Sequence, residues 1–185
     1  DYSPKNIDLL KTWGIHNAEL CEIGFVPELM RIPSRPQDID VLFYGSLNPR
    51  RRKILNQLSD QGAEVKVLQG LYGPQRDAWI ARSKIILNIH YYEAKVLEIV
   101  RLSYLLSNGR FVVSERGKDA DLEAPFAEGL VLDSYEMLVP QCLTWLQHPS
   151  ARQAIASEGQ RVFSQRSQAD FLRPLLGIKP STSGD

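Results

Sequence analysis

The chain has 185 residues, which is enough for one domain with extensions. Hydrophobic residues make up 43% of it and charged residues 24%, a composition that excludes disordered, collagen-like and membrane-spanning chains. The 22 basic side chains balance 22 acidic ones, which argues against a dedicated nucleic-acid binder but still allows a local anion site.

Signals of location and cross-linking are few. The longest uncharged apolar stretch, 85–92, is far shorter than the roughly 20 residues of a membrane helix, and no signal peptide is visible at Asp1. The two cysteines, Cys21 and Cys142, have neither a CxxC spacing nor clustered histidines nearby. They predict reduced, buried thiols rather than a disulfide or a zinc site, and therefore a cytoplasmic protein without a bound metal.

The hydrophobic pattern predicts strands and helices that alternate along the chain. A helix begins at Ser3-Pro4 and ends at Gly14, and the prolines between 23 and 36 predict a connector. Compact apolar segments predict strands at 39–44, 64–68, 84–89, 110–114 and 130–133. The helices predicted between these strands lie at 49–61, 74–82 and 94–107.

The spacing of apolar residues predicts helices over the last third of the chain, from 134 to 176. Breaks or kinks are expected at Pro140, Pro149 and Pro174, with a weak point at Gly159. Strands that are apolar on both faces and separated by helices form parallel sheets covered on both sides. The predicted fold class is therefore α/β, a Rossmann-like doubly wound parallel sheet with extra C-terminal helices.

The same pattern predicts three parts. Residues 1–36 form the N-terminal helix and connector, 37–178 the Rossmann-like domain, and 179–185 a disordered tail of small polar residues. Four large aromatic residues are expected either in the core or on a docking surface: Trp13, Tyr72, Trp79 and Trp145.

The loop after the first predicted strand, 44–53, is a candidate anion site, because ligands of such sheets bind at the carboxyl ends of the strands. Gly45 permits a tight turn, Asn48 can cap the next helix and Pro49 begins it. The helix dipole disfavours each of the three arginines at 50–52 by roughly 0.3 to 1 kcal/mol. A phosphate would relieve that cost; the alternative is a solvated basic turn paired with acidic side chains elsewhere.

The loop after the third predicted strand, 90–101, is the second candidate. Lys95, Glu98 and Arg101 are spaced three apart and form one charged row on an otherwise apolar helix. This row is either an exposed ladder of ion pairs or it presents a carboxylate that accepts hydrogen bonds from sugar hydroxyls. His90 is, with equal weight, a structural imidazole or part of a site.

Several sequence motifs of known chemistry are missing. The chain has no GxxxxGK[ST], GxGxxG, HExxH or GxSxG, so P-loop hydrolysis, glycine-rich dinucleotide binding, zinc proteolysis and α/β-hydrolase chemistry lose support. The alternating acidic residues Asp119, Asp121 and Glu123 follow a glycine and predict a solvated loop.

Three segments, in order, resemble the C-terminal, donor-binding domain of group 1, GT-B type glycosyltransferases: DVLFYGSLNPRRR at 40–52, LNIHYYEAKVLE at 87–98 and GRFVVSE at 109–115. The segments 1–27 and 146–163 resemble that family's crossover from the N-terminal domain and its terminal helices, so the likeness covers nearly the whole chain. It implies a hexosyltransferase-like enzyme that binds a nucleotide-diphosphate sugar across the strand ends, with no cofactor beyond this donor substrate.

The resemblance also implies roles for individual residues. In the family, basic residues after the first strand reach the diphosphate; Arg51 occupies the position of the usual lysine, and Ser46 replaces a common arginine for which Arg50 or Arg52 would substitute. Glu98 matches the later of two family glutamates, the one that holds the ribose. His90 stands in place of the earlier one and is the catalytic candidate. The candidates for binding the nucleotide sugar are Gly45, Ser46, Asn48, Arg51, Arg52, Glu93 and Glu98.

In this family the acceptor docks on a second domain, which these 185 residues do not contain. The resemblance therefore implies half of a longer enzyme, or one subunit of a split one, that is inactive alone. Its expected partners are a nucleotide sugar and the missing acceptor domain or subunit. Two alternatives remain: a non-catalytic glycosyltransferase-like domain for binding or assembly, and a phosphate- or nucleotide-responsive regulatory domain of flavodoxin-like shape.

Overall fold

The computed structural model describes residues 1–178, and the predicted tail at 179–185 lies outside them. Its centre is a five-stranded parallel sheet built from β1 (Ile39–Tyr44), β2 (Val65–Leu68), β3 (Ser83–Asn88), β4 (Val112–Glu115) and β5 (Val131–Asp133). The strand order is β2-β1-β3-β4-β5, and each neighbouring pair is parallel. The predicted α/β class and doubly wound parallel sheet are confirmed.

The described part of the chain carries its helices between and after these strands. They are α1 (Pro4–Thr12), α2 (Pro49–Asp60), α3 (Gly73–Arg82), α4 (Ile99–Ser107), α5 (Ala120–Glu123), α6 (Leu138–Leu146), α7 (Pro149–Ser164) and α8 (Gln168–Leu175), with 3₁₀ turns at Pro27–Leu29, Ala124–Phe126 and Tyr135–Met137. No helix within residues 1–178 is both long enough and apolar enough to cross a membrane.

The core lies on both faces of the sheet. Alternate residues of β1 point to opposite sides: Leu42 and Tyr44 join the cluster under α3 and α4, whereas Val41 and Phe43 join the cluster under α2 and α6. Because both faces are covered, the strand has an unbroken apolar run and not an alternating pattern.

The segment before α4 differs from the prediction. The helix expected over 94–107 begins only at Ile99, and 90–98 is an irregular loop in which Lys95 has a φ of 47°. The cause lies in contacts with distant residues. The Lys95 carbonyl accepts a hydrogen bond from the Lys118 amide at 3.1 Å, and the Asn48 amide group donates to the Tyr91 carbonyl at 3.1 Å. These bonds replace the helical ones, so the predicted charged row is broken at Lys95.

The C-terminal prolines interrupt the helices α6, α7 and α8 less than expected. Pro149 begins α7, Pro140 lies in the first turn of α6, where a missing N–H is tolerated, and Pro174 lies in the last turn of α8. Gly159 is a close packing point within α7 and not a weak one, because a Cβ on Gly129 would collide with its Cα.

The predicted burial of side chains is partly correct. Cys142 is buried, and burial raises its thiol pKa to about 12, but Cys21 is only half-buried. Trp13 and Tyr72 are exposed, whereas Trp79 and Trp145 pack against the two core clusters. The division of the chain at residue 37 stays a prediction.

Candidate functional site

A cavity of about 750 Å³ opens at the carboxyl ends of β1, β2 and β3. Each strand contributes the residues that follow it, such as Gly45 after β1, Tyr72 after β2 and His90 after β3. The first turns of α3 and α4 also line the cavity. Since the N-terminus of a helix carries partial positive charge, these two helices favour an anion in the cavity.

Arg51, in the first turn of α2, lines this cavity with a side chain that is only 4% exposed. Its Nη1 donates to the Ser46 carbonyl at 2.8 Å, its Nε to the Ile89 carbonyl at 2.9 Å, and its Nη2 to Ile89 and to Glu98 Oε1, the latter at 3.1 Å. Burial lowers the pKa of the guanidinium. These contacts fix the orientation of the Arg51 guanidinium at the cavity wall.

Glu98, directly before α4, lies between two guanidinium groups. Its second carboxylate oxygen is 3.2 Å from Nη2 of Arg101, whose Nη1 donates to Asn88 Oδ1 at 2.9 Å. The structure therefore brings the predicted pair, Arg51 and Glu98, together in one cavity. Arg101, which the sequence placed only in a surface row, lies in the same cavity.

A further arginine enters from the neighbouring helix. Arg76, in the first turn of α3, lines the cavity and pairs with buried Asp77 at 3.1 Å. The guanidinium carbons of Arg76 and Arg101 lie 5.5 and 4.8 Å from the ring centre of Tyr44, which holds both at the cavity wall. Burial raises the pKa of Tyr44 to about 12, so this ring adds no negative charge at neutral pH.

Behind the cavity lies a fully buried carboxylate, Glu115, at the end of β4. It accepts hydrogen bonds from both terminal nitrogens of Arg50 and from the His90 amide, and it lies 3.0 Å from Lys95 Nζ. Burial alone would raise the pKa of the Glu115 carboxyl, but the bonds from Arg50 and Lys95 hold it below its usual value. Arg50 also stacks on Tyr135, 3.9 Å from the ring centre, so it does not substitute at the cavity as the sequence suggested.

His90 lines the cavity with a buried imidazole whose Nε2 has no hydrogen-bond partner among the described residues. Burial lowers the pKa of the imidazole, although the Glu115 and Glu98 carboxylates act in the opposite direction. Burial therefore favours the neutral imidazole, whose Nε2 is itself buried and lies beside Gly117 rather than open to solvent.

The remaining predicted candidates divide into two groups. Gly45 and Ser46 line the cavity, whereas Asn48, Arg52 and Glu93 do not. Asn48 caps α2 by accepting from the Arg51 amide at 2.8 Å, which removes one of the free amides expected for a phosphate there. Arg52 and Glu93 are exposed to solvent.

The acidic loop after β4 was predicted to be solvated, and for Glu123 this prediction is wrong. Glu123 is buried and accepts from the Gly117 amide, and Arg116 Nη1 lies 3.5 Å from its second oxygen. Within residues 1–178, no group of three or more histidine, cysteine or acidic side chains is placed to hold a metal ion.

Three cations of the cavity wall, Arg76, Lys95 and Arg101, were not predicted as parts of the site, nor was Glu115 behind it. Arg76 could have been found by the rule that was applied to Arg51, since it lies in the first turn of the helix that follows a parallel strand. Glu115 carries a comparable signal, an acidic residue directly at the end of an apolar strand. Arg101 offered no such signal, because its place in the cavity depends on where α4 begins.

The fold and this cavity define a Rossmann-like domain with a cavity lined by cationic side chains at the carboxyl edge of its sheet. A family model described as glycosyl transferase-like matches residues 28–175. The chain therefore belongs to the glycosyl transferase-like family. The resemblance to the C-terminal domain of group 1, GT-B type glycosyltransferases is confirmed.

Two viral proteins, both uncharacterised and from Acanthamoeba polyphaga mimivirus, are related in sequence. One is 30% identical over 155 residues, which is 80% of this chain and 21% of that protein. The other is 42% identical over 96 residues, 49% of this chain and 31% of that protein. The chain thus spans less than a third of the length of either relative.

Three solved structures share the fold. HepE of Anabaena, solved with UDP and glucose, gives a TM-score of 0.67 at 16% identity over 95% of this chain and 61% of its own. A mutant of S. aureus TarM, solved with fondaparinux, alpha-GlcNAc-glycerol and UDP, gives a TM-score of 0.68 at 12% identity over 95% of this chain and 42% of its own. Sucrose-phosphate synthase of Thermosynechococcus elongatus gives 0.60 at 14% identity over 95% and 55%.

Proposed function

We propose that this chain is the donor-substrate domain of a glycosyltransferase and that its cavity binds a nucleotide-diphosphate sugar. The observation that carries the proposal is the charge of the cavity wall. Four cationic side chains, Arg51, Arg76, Lys95 and Arg101, and one carboxylate, Glu98, converge there beside the positive ends of α3 and α4. A diphosphate carries several negative charges and matches this excess of cations.

The guanidiniums packed beside Gly45 are where we expect the diphosphate. Gly45 has a φ of 132°, and a Cβ at this position would lie 3.1 Å from Arg101 Nη2 and 3.7 Å from Arg51 Nη1. The two guanidiniums therefore lie side by side against the Gly45 backbone, where one phosphate group can contact both. Each charge-assisted hydrogen bond contributes about 1.5 to 3 kcal/mol, so two of them supply a large part of the binding energy.

Glu98 is suited to the ribose, as the family resemblance implied. Its carboxylate accepts hydrogen bonds, and Arg51 and Arg101 hold it in place from both sides. His90 lines the same cavity beside Glu98 and is the residue that we assign to the sugar end of the donor. With these assignments the nucleotide extends from the loop after β2, past Gly45, to the loop after β3.

Transfer breaks the bond between the anomeric carbon and the diphosphate oxygen, which keeps the electron pair. An acceptor hydroxyl oxygen forms the new bond to the anomeric carbon, and its proton passes to the released diphosphate or to solvent. Arg51, Arg101 and the N-terminus of α4 are positioned to stabilise the negative charge growing on the diphosphate oxygen without reorganising. The acceptor would dock on a further domain or a partner subunit, which the greater length of the solved relatives supports. Alone, the chain binds the donor and transfers nothing.

A panel of nucleoside diphosphates, read by the melting temperature, tests this function. A ligand at a hundred times its Kd stabilises the fold by about 2.7 kcal/mol. We expect at least one of UDP, GDP, ADP or TDP to raise the melting temperature of the parent, and Arg101→Met to lose that rise. Arg161→Met, on the exposed face of α7, is the control and keeps it.

Absence of any shift, or an equal shift in Arg101→Met, contradicts the proposed site. A non-catalytic binding or assembly domain predicts the same nucleotide binding. Release of nucleotide from a nucleotide sugar by the full-length protein separates the two, since only a transferase consumes the donor.

A further inference from the structure

Lys95 differs from the other cations of the cavity in how it is held. Its backbone adopts a φ of 47° in the irregular loop before α4, and its side chain reaches 3.0 Å from Glu115 Oε1. Within residues 1–178 this ion pair is the single polar contact of the ammonium group. About a third of the Lys95 side chain is exposed. Because an ammonium has three donors on a flexible stem, Lys95 retains capacity for another partner.

The buried carboxylate does not depend on Lys95. Glu115 is fully buried and pairs with both terminal nitrogens of Arg50. Arg50 is itself fixed, since its guanidinium stacks on the Tyr135 ring and donates to the His90 carbonyl at 3.1 Å. One fixed guanidinium therefore neutralises the carboxylate when Lys95 moves away.

The three arginines of the cavity are more firmly committed. Arg51 donates to two backbone carbonyls as well as to Glu98, Arg101 bridges Asn88 and Glu98, and Arg76 pairs with buried Asp77. Each of these groups has a fixed place, so ligand binding leaves them where they are. Lys95 is the most exposed of the four cations, at 34% against 19% for Arg76, and its carboxylate partner is neutralised by Arg50.

We propose that Lys95 is the mobile cation of the site, held by Glu115 in the free protein and transferred to the diphosphate when the donor binds. The exchange costs little, because Glu115 keeps its pair with Arg50 while the ammonium gains a phosphate oxygen. This inference rests on the proposed function and adds a residue that neither the sequence motifs nor the family resemblance assigned to ligand binding.

The test compares UDP with uridine in isothermal titration of the parent, Lys95→Met, Lys95→Arg and the control Lys53→Met, which removes an exposed lysine of α2. We expect Lys95→Met to weaken UDP binding roughly tenfold or more and to leave uridine binding unchanged, because uridine carries no phosphate. Lys95→Arg should restore most of the UDP affinity. Lys53→Met should match the parent for both ligands.

Stability provides the second readout. We expect the melting temperature of Lys95→Met to stay within about 2 °C of the parent, since Arg50 still neutralises Glu115. A Lys95→Met protein that fails to fold, or that melts much lower with an unchanged ratio of UDP to uridine affinity, shows that Lys95 only serves Glu115 and overturns the inference. If the parent binds no nucleoside diphosphate, the proposed function fails as well; if it does and Lys95→Met matches it, only this inference fails.

Discussion

Adjacent arginines of α2 allow a sharp test of how Arg51 is held. We expect Arg51→Met to destabilise the fold and Arg52→Met to leave it unchanged. The first substitution removes the guanidinium that bonds the carbonyls of Ile89 and Ser46 and the carboxylate of Glu98, whereas the second removes an exposed group. The two variants lose the same charge from the same helical turn.

The size of the effect follows from these contacts. A buried acceptor left without its partner costs about 1 to 3 kcal/mol, and Glu98 keeps Arg101 as its partner at 3.2 Å. We therefore expect the lost bonds to the Ile89 and Ser46 carbonyls to set the cost of Arg51→Met, at about 2 to 3 kcal/mol. Urea denaturation measures it: with a slope of about 2 kcal/mol per M the midpoint falls by about 1 M or slightly more. Equal midpoints for the two variants would refute the idea that Arg51 is fixed by the protein before ligand arrives.

Three further predictions concern the pH response, the packing of α7 and the buried thiol. Burial lowers the pKa of His90, so below about pH 6.5 the unfolded chain takes up a proton that the folded protein resists, and stability falls toward acid by at most about 1.4 kcal/mol per pH unit. His90→Gln should make the urea midpoint depend less on pH between pH 7 and 5.5, whereas exposed His16→Gln should leave that dependence as in the parent. The same pH dependence in both variants would contradict a buried neutral imidazole. Gly129→Ala should cost about 1 to 3 kcal/mol in thermal denaturation, because its Cβ meets the backbone of Gly159, and an unchanged melting temperature would count against that close approach. The Cys142 thiol, whose pKa burial raises to about 12, should resist a disulfide reagent at pH 8 until urea unfolds the chain; peptide mapping that finds it labelled in the native protein would argue against its burial.

The strands could be predicted because each is apolar on both faces. The segment 39–44 reads as an unbroken apolar run, and the structure buries it between α2 on one side and α3 and α4 on the other. The start of α4 could not be predicted in the same way. Residues 93–98 have good helix propensity, but bonds from Lys118 and Asn48 hold the loop in another conformation.

The candidate site could be predicted in part, because the predicted strands show which loops lie at the carboxyl edge of the sheet. The rule that ligands meet the carboxyl ends of parallel strands led to the loops after β1 and β3. Within them the family resemblance singled out Arg51, His90 and Glu98, and these three line one cavity with Gly45. The rule could not tell that Arg52 points to solvent, since adjacent residues of a helix face in different directions and the sequence does not fix the rotation of α2. Nor could it show that Arg50 is used to neutralise Glu115, because that pair joins residues 65 positions apart.

The measurement that most directly tests the donor site is a crystal structure of the chain with bound UDP. We predict that the diphosphate lies beside Gly45, within hydrogen-bond distance of the Arg101 and Arg51 guanidiniums, with a ribose hydroxyl on Glu98. UDP bound outside this cavity, or an empty cavity at concentrations that raise the melting temperature, would contradict the proposed donor site.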